Sequence, residues 1–248
     1  MPTNPQTDRL YEDDVAYIHD VGYSGLCASW EPGLLEIFRA AGIDRGTIVD
    51  LGCGGGRWTQ RLAAAGFAPV GVDISAAMID LATKRLPSAE FHVASVWDYE
   101  FPRCRAVTAL SEVLCYRTTS WDDPDLFDLF RRLFDALEPG GLFIFDVTEI
   151  GLNQNGQRTF SEGEDWACLV RYENDDAKQR LHRHITSFRK VDTAYRRATE
   201  THTAQLFDAD QLAAQLNQVG FEVRKTRKFG TADLLPHRCG LIASKPAA

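Results

Sequence analysis

The residues best suited to ligand chemistry form a glycine-rich run at positions 49–56, which reads VDLGCGGG. Asp50 leads the run, Gly52, Gly54 and Gly56 recur at every second position, and Cys53 lies between the first two glycines. Glycine allows a tight turn and lets a ligand approach the backbone with no Cβ in the way. The run stands between a strand-like and a helix-like segment, so we predict a ligand-binding loop at a strand-to-helix junction.

Arg57 separates this loop from the loops that bind dinucleotides. The dinucleotide pattern G-x-G-x-x-G, counted from Gly52, requires a glycine at position 57, where arginine stands instead. The pattern that fits is acidic-x-G-x-G-x-G. A carboxylate at the position of Asp50 suits a ligand with a cationic amino group better than a pyrophosphate, which disfavours a nicotinamide dinucleotide.

A second carboxylate, Asp73, lies at the end of the next strand-like segment, VGVDI. At that place it can accept hydrogen bonds from both hydroxyls of a ribose, and its separation from the glycine run suits the same role. The alternative is that Asp73 caps a helix, but Ser75 is already well placed to do so. The two signals together favour binding of a ligand that carries a ribose and a cationic amino group.

Strand-like and helix-like segments alternate around these residues. Strands are predicted at 47–51, 69–74, 91–94, 106–110 and 142–147, and helices at 31–42, 57–65, 75–86 and from 122 or 123 to 137. Asp208 begins a capping pattern for a further helix to 219, followed by strands at 221–229 and 241–244. This alternation predicts a doubly wound α/β fold, with a mostly parallel sheet and helices on both faces.

The alternation is interrupted between residues 151 and 205. Residues 151–165 are loop-like, and strand-like runs follow at 166–173, 180–191 and 194–207. Consecutive strands separated by turn residues are typical of an antiparallel β-meander. We therefore predict a β-meander outside the central sheet that shapes the choice of substrate.

Composition and charge argue against several classes of protein. The formal net charge of −8 comes without any basic stripe, which argues against nucleic acid as a partner. No segment approaches the roughly 18 apolar residues of a membrane span, and the N-terminus lacks the features of a secretory signal. The six cysteines are scattered with no C-x-x-C pair, so we expect a cytoplasmic protein without structural zinc.

Five segments make the chain resemble the class I S-adenosylmethionine-dependent methyltransferase family, of the small-molecule type. They read VDLGCGGGRW, GVDISAAMIDLA, ASVWD, TALSEVLCY and LEPGGLFIFDV, and the resemblance covers most of residues 45–150 and again 206–245. It implies a seven-stranded Rossmann-like sheet with an inserted antiparallel β-meander. The implied regions are an N-terminal lid with the first helix at 1–42, a cofactor-binding core at 43–150, the β insertion at 151–205 and the end of the core at 206–248.

The resemblance also implies a cofactor, S-adenosyl-L-methionine, and the residues that hold it. Asp50 and the backbone of residues 52–54 would hold the methionine moiety, Gly56 would complete the same binding loop, Asp73 would hold the ribose, and Ile74 one face of the adenine. Ser95, Val96 and Trp97 would flank the adenine, and Ser111 would lie near the sulfonium and the amino group.

Glu112 and His19 are candidates for the side of the site that faces the methyl acceptor, and Tyr11 is a further candidate contact of the cofactor. Glu112, beside the predicted transfer point, would orient or deprotonate the acceptor, or else only hold its loop. His19 would act as a general base and Tyr11 would contact the cofactor. The alternative is that both only pack on a surface helix, since their segment shows no clear periodicity of apolar residues.

The predicted activity is transfer of a methyl group to N or O of a small molecule by in-line displacement, in which the enzyme positions the acceptor and excludes water. No metal is expected, because His182 and His184 share a strand face without a third ligand at a usual spacing. The alternatives are a protein or nucleic-acid methyltransferase and a non-catalytic cofactor-binding module. The chain lacks the N/D-P-P-Y motif of amino-directed nucleic-acid enzymes, and its oligomeric state stays open.

Overall fold

A seven-stranded sheet with helices on both faces forms the centre of the fold. The computed structural model describes residues 10–23, 25–118, 120 and 122–247, so residues 1–9 and 24 of the predicted lid lie outside the described residues. The strands of the described residues are, in chain order, β1 (Thr47–Leu51), β2 (Ala68–Asp73), β3 (Glu90–Val93), β4 (Cys104–Ala109), β5 (Tyr116–Arg117), β6 (Leu137–Thr148), β7 (Arg158–Glu162), β8 (Trp166–Asp175), β9 (Arg180–Val191), β10 (Ala194–Gln205), β11 (Glu222–Thr226), β12 (Lys228–Phe229), β13 (Ala232–Asp233) and β14 (Arg238–Ser244). The α-helices are α1 (Asp13–Gly22), α2 (Gly25–Ala40), α3 (Arg57–Ala64), α4 (Ala76–Arg85), α5 (Leu126–Ala136) and α6 (Ala209–Val219).

The order of strands in the central sheet is β11-β14-β6-β4-β1-β2-β3. Strands β1, β2, β3, β4 and β6 run parallel, while β14 runs antiparallel to both β6 and β11. The predicted doubly wound, mostly parallel sheet of seven strands is confirmed. Because the parallel strands end at the same edge, the loops after β1, β2 and β4 meet there.

Two apolar clusters cover the faces of this sheet. Strands β1 and β4 are buried on both sides, which explains their continuous apolar runs. On one face, α5 packs through Leu129, Phe130 and Leu133 near Phe143 and Phe145 of β6. On the other face, α2 and α3 contribute the apolar side chains, among them the fully buried Trp30. The sheet is therefore a rigid base for the loops at its edge.

The second sheet is antiparallel, with the order β5-β10-β9-β8-β7. It contains the predicted meander, and no strand of residues 151–205 joins the central sheet within the described part of the chain. Two of its strands were not predicted. Strand β7 occupies a segment expected to be loop, and β5 comes from the loop after β4, so that the second sheet is joined to the edge where a ligand would bind.

Some predicted boundaries were wrong for reasons that lie in the local structure. Helix α2 begins at Gly25 rather than at residue 31, so Pro32 lies inside it and not in its first turn. Helix α5 is capped by Asp125, whose carboxylate accepts a hydrogen bond from the Asp128 N–H at 3.0 Å, and not by Asp122 or Asp123. The segment DDPD offers several capping residues, and periodicity alone does not choose between them.

Helix α1 connects the two sheets. The buried Asp20 carboxylate forms ion pairs with Arg57 at 3.3 Å and Arg85 at 2.7 Å, which belong to the helices behind the glycine loop. Near the start of the helix, Asp14 pairs with Arg196 of β10. Arg57, which distinguished the loop from a dinucleotide site, thus anchors α1 over that loop.

Candidate active site

The glycine loop after β1 follows a left-handed path. Gly52 has φ 62° and Gly54 has φ 52°, a conformation that favours glycine. A Cβ at Gly52 would collide with the Val113 side chain, so this glycine is needed for close packing. A Cβ at Gly54 would meet only Met78 Sδ, at 3.9 Å. Gly54 therefore presents bare backbone to an open cleft.

Asp73 lies at the end of β2, beside this loop. Its Oδ2 accepts a hydrogen bond from the Gly54 N–H at 2.9 Å, and its Oδ1 accepts one from the Ser75 N–H at 2.9 Å. Burial raises the pKa of Asp73, while these backbone donors oppose the rise. Ser75 caps α4 as predicted, accepting from the Met78 N–H at 3.1 Å. Because a carboxylate has about four acceptor sites, Asp73 can still accept a further donor.

A cavity at the carboxyl edge of the central sheet brings most of the predicted cofactor residues together. The predicted residues that line it are Tyr11, His19, Gly52, Gly54, Asp73, Ile74, Ser95, Val96, Trp97 and Ser111. Tyr11 and His19 come from α1 and the residues just before it, and the others lie at or just after the ends of four parallel strands. The resemblance assigned these residues to different parts of one ligand, and the fold places them around one cleft.

Three predicted cofactor residues lie outside the lining of this cavity. Asp50 is buried and accepts hydrogen bonds from the hydroxyls of Thr59 at 2.7 Å and Thr108 at 3.2 Å, and burial raises its pKa to about 7. Cys53 is buried with its Sγ near the Gly54 carbonyl. A Cβ at Gly56 would lie 2.8 Å from Ala82 Cβ, so this glycine lets the loop pack on α4. In this structure all three shape the loop from behind.

A second cavity, of about 560 Å³, lies between α1 and the inner face of the antiparallel sheet. Four residues line both cavities, namely Tyr11, His19, Ser111 and Tyr116. The hydroxyls of Tyr11 and Tyr116 are 2.5 Å apart. The two cavities thus adjoin at a boundary made of α1 and the loop after β4.

The loop after β4 is held in an unusual backbone conformation. Ser111 has φ 66° and Glu112 has φ 59°, which is uncommon for residues other than glycine. Their backbone N–H groups donate to Asp146 Oδ1 at 2.6 Å and Oδ2 at 3.2 Å, respectively. Asp146 is fully buried and also accepts from Arg238 at 2.6 Å. These bonds fix the two residues at the boundary between the cavities.

Glu112 is committed to partners within the protein. Its Oε1 pairs with Arg183 at 2.8 Å and Arg238 at 3.1 Å, and its Oε2 accepts a hydrogen bond from Thr148 at 2.5 Å. Burial raises the pKa of this carboxyl, but the two guanidinium groups outweigh burial and hold the pKa below its ordinary value. A carboxylate so stabilised is a weak base. Glu112 is therefore better suited to orienting the methyl acceptor than to deprotonating it.

Residues 28–226 match the sequence profile of a protein family described as "Methyltransferase domain". The chain belongs to this family. It is 24% identical over 240 residues to the dTDP-4-amino-2,3,4,6-tetradeoxy-D-glucose N,N-dimethyltransferase of Saccharopolyspora spinosa, covering 88% of this chain and 89% of that relative.

Two solved structures share the whole fold of this methyltransferase. An S-adenosylmethionine-dependent methyltransferase from Clostridium acetobutylicum superposes with a TM-score of 0.79 at 17% identity, over 94% of this chain and 98% of that one. The sugar N-methyltransferase KedS8 from Streptoalloteichus gives 0.76 at 20% identity, over 99% and 100%. The predictions of an S-adenosylmethionine-dependent methyltransferase, and of S-adenosylmethionine as its cofactor, are confirmed.

His19 of the methyltransferase lies at the boundary in a setting that opposes its protonation. Burial and, to a lesser extent, the nearby His202 lower its pKa to about 4, and Asp20 opposes them. Its ring lies 5.0 Å from that of Tyr11. A neutral imidazole of low pKa can hydrogen-bond an acceptor, but it is a poor base for an ammonium group.

We expect the His19 ring to stay neutral in the folded methyltransferase from pH 8 down to about pH 5. Its proton NMR signal, identified by its loss in His19→Gln, should then show no titration midpoint near pH 6.5. Because the unfolded state takes up the proton first, stability should decline as pH falls from about 6.5 towards 4, and less so in His19→Gln. A midpoint near 6.5 would contradict this assignment.

Three residues that line the second cavity were not predicted from the sequence: Tyr116, Arg183 and Arg238. A signal for Arg183 was present, since it lies two residues from both Leu181 and Ile185 and therefore on the same, buried face of β9. His182 and His184 point the other way and bond Thr203 and Glu173. His237 also lines the second cavity.

Within the described residues, no group of three or more histidine, cysteine or acidic side chains is arranged to hold a metal. In the same part of the chain, no helix has the length and apolar character needed to cross a membrane.

Proposed function

We propose that the enzyme transfers a methyl group from S-adenosylmethionine to nitrogen of a small molecule bound in the second cavity. The observation that carries this proposal is the shared boundary, at which Tyr11, His19, Ser111 and Tyr116 line both cavities. A volume of about 560 Å³ suits a small molecule. The sugar N-methyltransferase activity named for two similar proteins supports the same class of acceptor.

The proposed roles of the cofactor residues follow from the first cavity. Gly52 and Gly54 would admit the amino-acid part of the cofactor to the backbone, Asp73 would accept its ribose hydroxyls, and Ile74 and Trp97 would enclose the adenine. The fit is supported by the bare backbone at Gly54 and by the remaining acceptor sites of Asp73. When bound, the cofactor would supply a methyl group on a positively charged sulfur, and this sulfur is a good leaving group without further activation.

The protein's part in the reaction is to position the acceptor and exclude water. The acceptor nitrogen would approach in line with the breaking bond between carbon and sulfur, a new bond between carbon and nitrogen would form, and the sulfur would keep the electron pair. Helix α1 would cover this point, because Asp20 pairs it with the helices α3 and α4 behind the glycine loop and Asp14 pairs it with β10. The amine must lose a proton to solvent or a neighbouring group before or after transfer.

Nitrogen is favoured over oxygen because neither candidate base is strong. The Glu112 carboxylate is paired with two guanidinium groups, and the pKa of His19 is lowered to about 4 by burial. A neutral amine attacks without a base, whereas a hydroxyl acceptor usually needs one. The same site would therefore methylate an amine much faster than the matching alcohol.

The test is a methyl-transfer assay with the full chain, S-adenosylmethionine and pairs of acceptors that differ only in an amino or a hydroxyl group. We expect formation of S-adenosylhomocysteine and a methylated product, observed by mass spectrometry, with the amine of at least one pair favoured by more than tenfold. Methylation of alcohols alone would contradict the choice of nitrogen. Methylation of protein or nucleic acid with none of small molecules would contradict the proposal as a whole.

A further inference from the structure

Arg183 presents unused hydrogen-bond donors to the second cavity. It projects from the inner face of β9, and its side chain is 17% exposed. Within the described residues, its acidic partner is Glu112, at 2.8 Å. A guanidinium carries five N–H donors in a planar fork that matches a carboxylate or a phosphate. A single ion pair leaves most of these donors available.

Arg183 belongs to a cluster of four charged groups, with Glu112, Arg238 and Asp146. The other three already have partners within the protein. Arg238 pairs with Asp146 at 2.6 Å and with Glu112 at 3.1 Å. Asp146 accepts two backbone N–H groups besides, and the second oxygen of Glu112 accepts the Thr148 hydroxyl. Although the four charges balance, the carboxylates face protein donors, whereas the Arg183 donors face the cavity. The cluster therefore offers donors and not acceptors to a ligand.

A second polar group lies further along β9, on the face that forms one wall of the second cavity. Ser187 is fully buried, lines the cavity, and has an Oγ without a hydrogen-bond partner among the described residues. It is on the same face of β9 as Arg183, about 13 Å away at roughly 3.3 Å per residue. Ile185 lies between them on the strand and belongs to one apolar cluster with Val15 and Ile18 of α1, which also line the cavity. The wall thus runs from a cationic donor over an apolar stretch to an unpartnered hydroxyl.

We infer that the acceptor carries an anionic oxygen group, a carboxylate or a phosphate, which Arg183 binds, and an apolar body that packs between α1 and β9. This inference rests on the proposed function, because it assigns the second cavity to the acceptor. Arg183 is then a specificity residue, and Ser187 binds a polar atom at the far end of the acceptor. Binding to Arg183 would fix one end of the acceptor close to Glu112 and the boundary residues.

The test uses probe ligands and does not depend on turnover. Calorimetry on the full chain saturated with S-adenosylhomocysteine compares hydrocinnamate and phenethyl phosphate with the neutral hydrocinnamamide. We expect at least one anion to bind tenfold or more tightly than the amide, since a charge-assisted bidentate bond discriminates strongly. The stronger of the two anions identifies the group. Equal affinities, or tighter binding of the amide, would overturn the inference.

Variants assign the preference to Arg183. Arg183→Met should abolish the preference for the anion, and Arg183→Gln, which keeps two donors without the charge, should retain a small part of it. Arg171→Met is the matched control, because Arg171 lies on the outer face of the same sheet, pairs with Glu173 and is not part of the cavity lining; it should retain the full preference. Retention of the full preference in Arg183→Met and Arg183→Gln, with S-adenosylhomocysteine still bound, would place the anion elsewhere and overturn the inference.

The two proposals fail in different ways. If the chain binds the anionic probes through Arg183 yet methylates no amine, the anion site stands and the proposed function falls. If amines are methylated but the anionic probes have no advantage over the amide, the proposed function stands and the anion site falls.

Discussion

Replacing Gly54 with arginine is expected to abolish binding of S-adenosylmethionine and of S-adenosylhomocysteine, with a loss in affinity of at least a hundredfold. The backbone at Gly54 has φ 52°, and a Cβ there would point into the open cleft, where Met78 Sδ at 3.9 Å is its nearest neighbour. A long side chain at this position would occupy the space of the ligand. Calorimetric titration of the folded variant with S-adenosylhomocysteine measures the loss.

Two controls separate occupation of the cleft from backbone strain. Gly54→Ala keeps the strain of a left-handed residue, which costs about 1–2 kcal/mol, but adds a single methyl group, so it should lose much less affinity. Gly66→Arg places the same side chain at another glycine of positive φ, 92°, with open space around it and away from both cavities. It should bind S-adenosylhomocysteine normally. Unchanged affinity in Gly54→Arg would remove the basis for placing the cofactor at this loop.

The parts of the fold that the sequence predicted are those in which pattern and burial are local. Strand β1 is a continuous apolar run because both of its faces are buried, and α5 shows its stripe because it lies on one face of the sheet. Ser75 and Asp208 were identified as caps because the side chain of each bonds N–H groups only two or three residues away. Such elements need no knowledge of distant partners.

The elements that were missed depend on distant contacts. Helix α1 carries buried Asp14 and Asp20, which reverse the usual apolar pattern because their partners Arg196 and Arg57 come from elsewhere in the chain. Strand β7 forms from exposed residues because β8 provides its hydrogen bonds. Strand β5 has only two residues, too few for any periodic signal.

The same distinction between local patterns and distant contacts holds for the residues of the candidate site. Asp73 and Gly54 were identified because a motif places them next to a strand end, and both line the first cavity. The network of Arg183, Arg238 and Asp146 around Glu112 joins residues far apart in the chain, so spacing alone gave no sign of it. Glu112 was therefore considered as a base, although its partners hold it as a paired carboxylate.

Replacing Asp73 with alanine is expected to weaken binding of S-adenosylhomocysteine by more than tenfold. Each charge-assisted hydrogen bond to a ribose hydroxyl contributes roughly 1.5–3 kcal/mol, and about 1.4 kcal/mol corresponds to one decade of affinity. Asp73→Asn should fall between the alanine variant and the wild type, because its amide oxygen can still accept one bond without the charge. The fold should survive, since Ser75 still caps α4 through the Met78 N–H.

The structure adds a complication that the experiment must resolve, because Asp73 also accepts the N–H groups of Gly54 and Ser75 at 2.9 Å each. A loss of affinity in Asp73→Ala could then come from a loosened glycine loop. Comparison of S-adenosylhomocysteine with its analogue lacking both ribose hydroxyls separates the two causes. If Asp73 binds the ribose, the wild type discriminates between these ligands and Asp73→Ala does not. If the variant discriminates as strongly as the wild type, Asp73 acts only by holding the loop, and the ribose is bound by other groups.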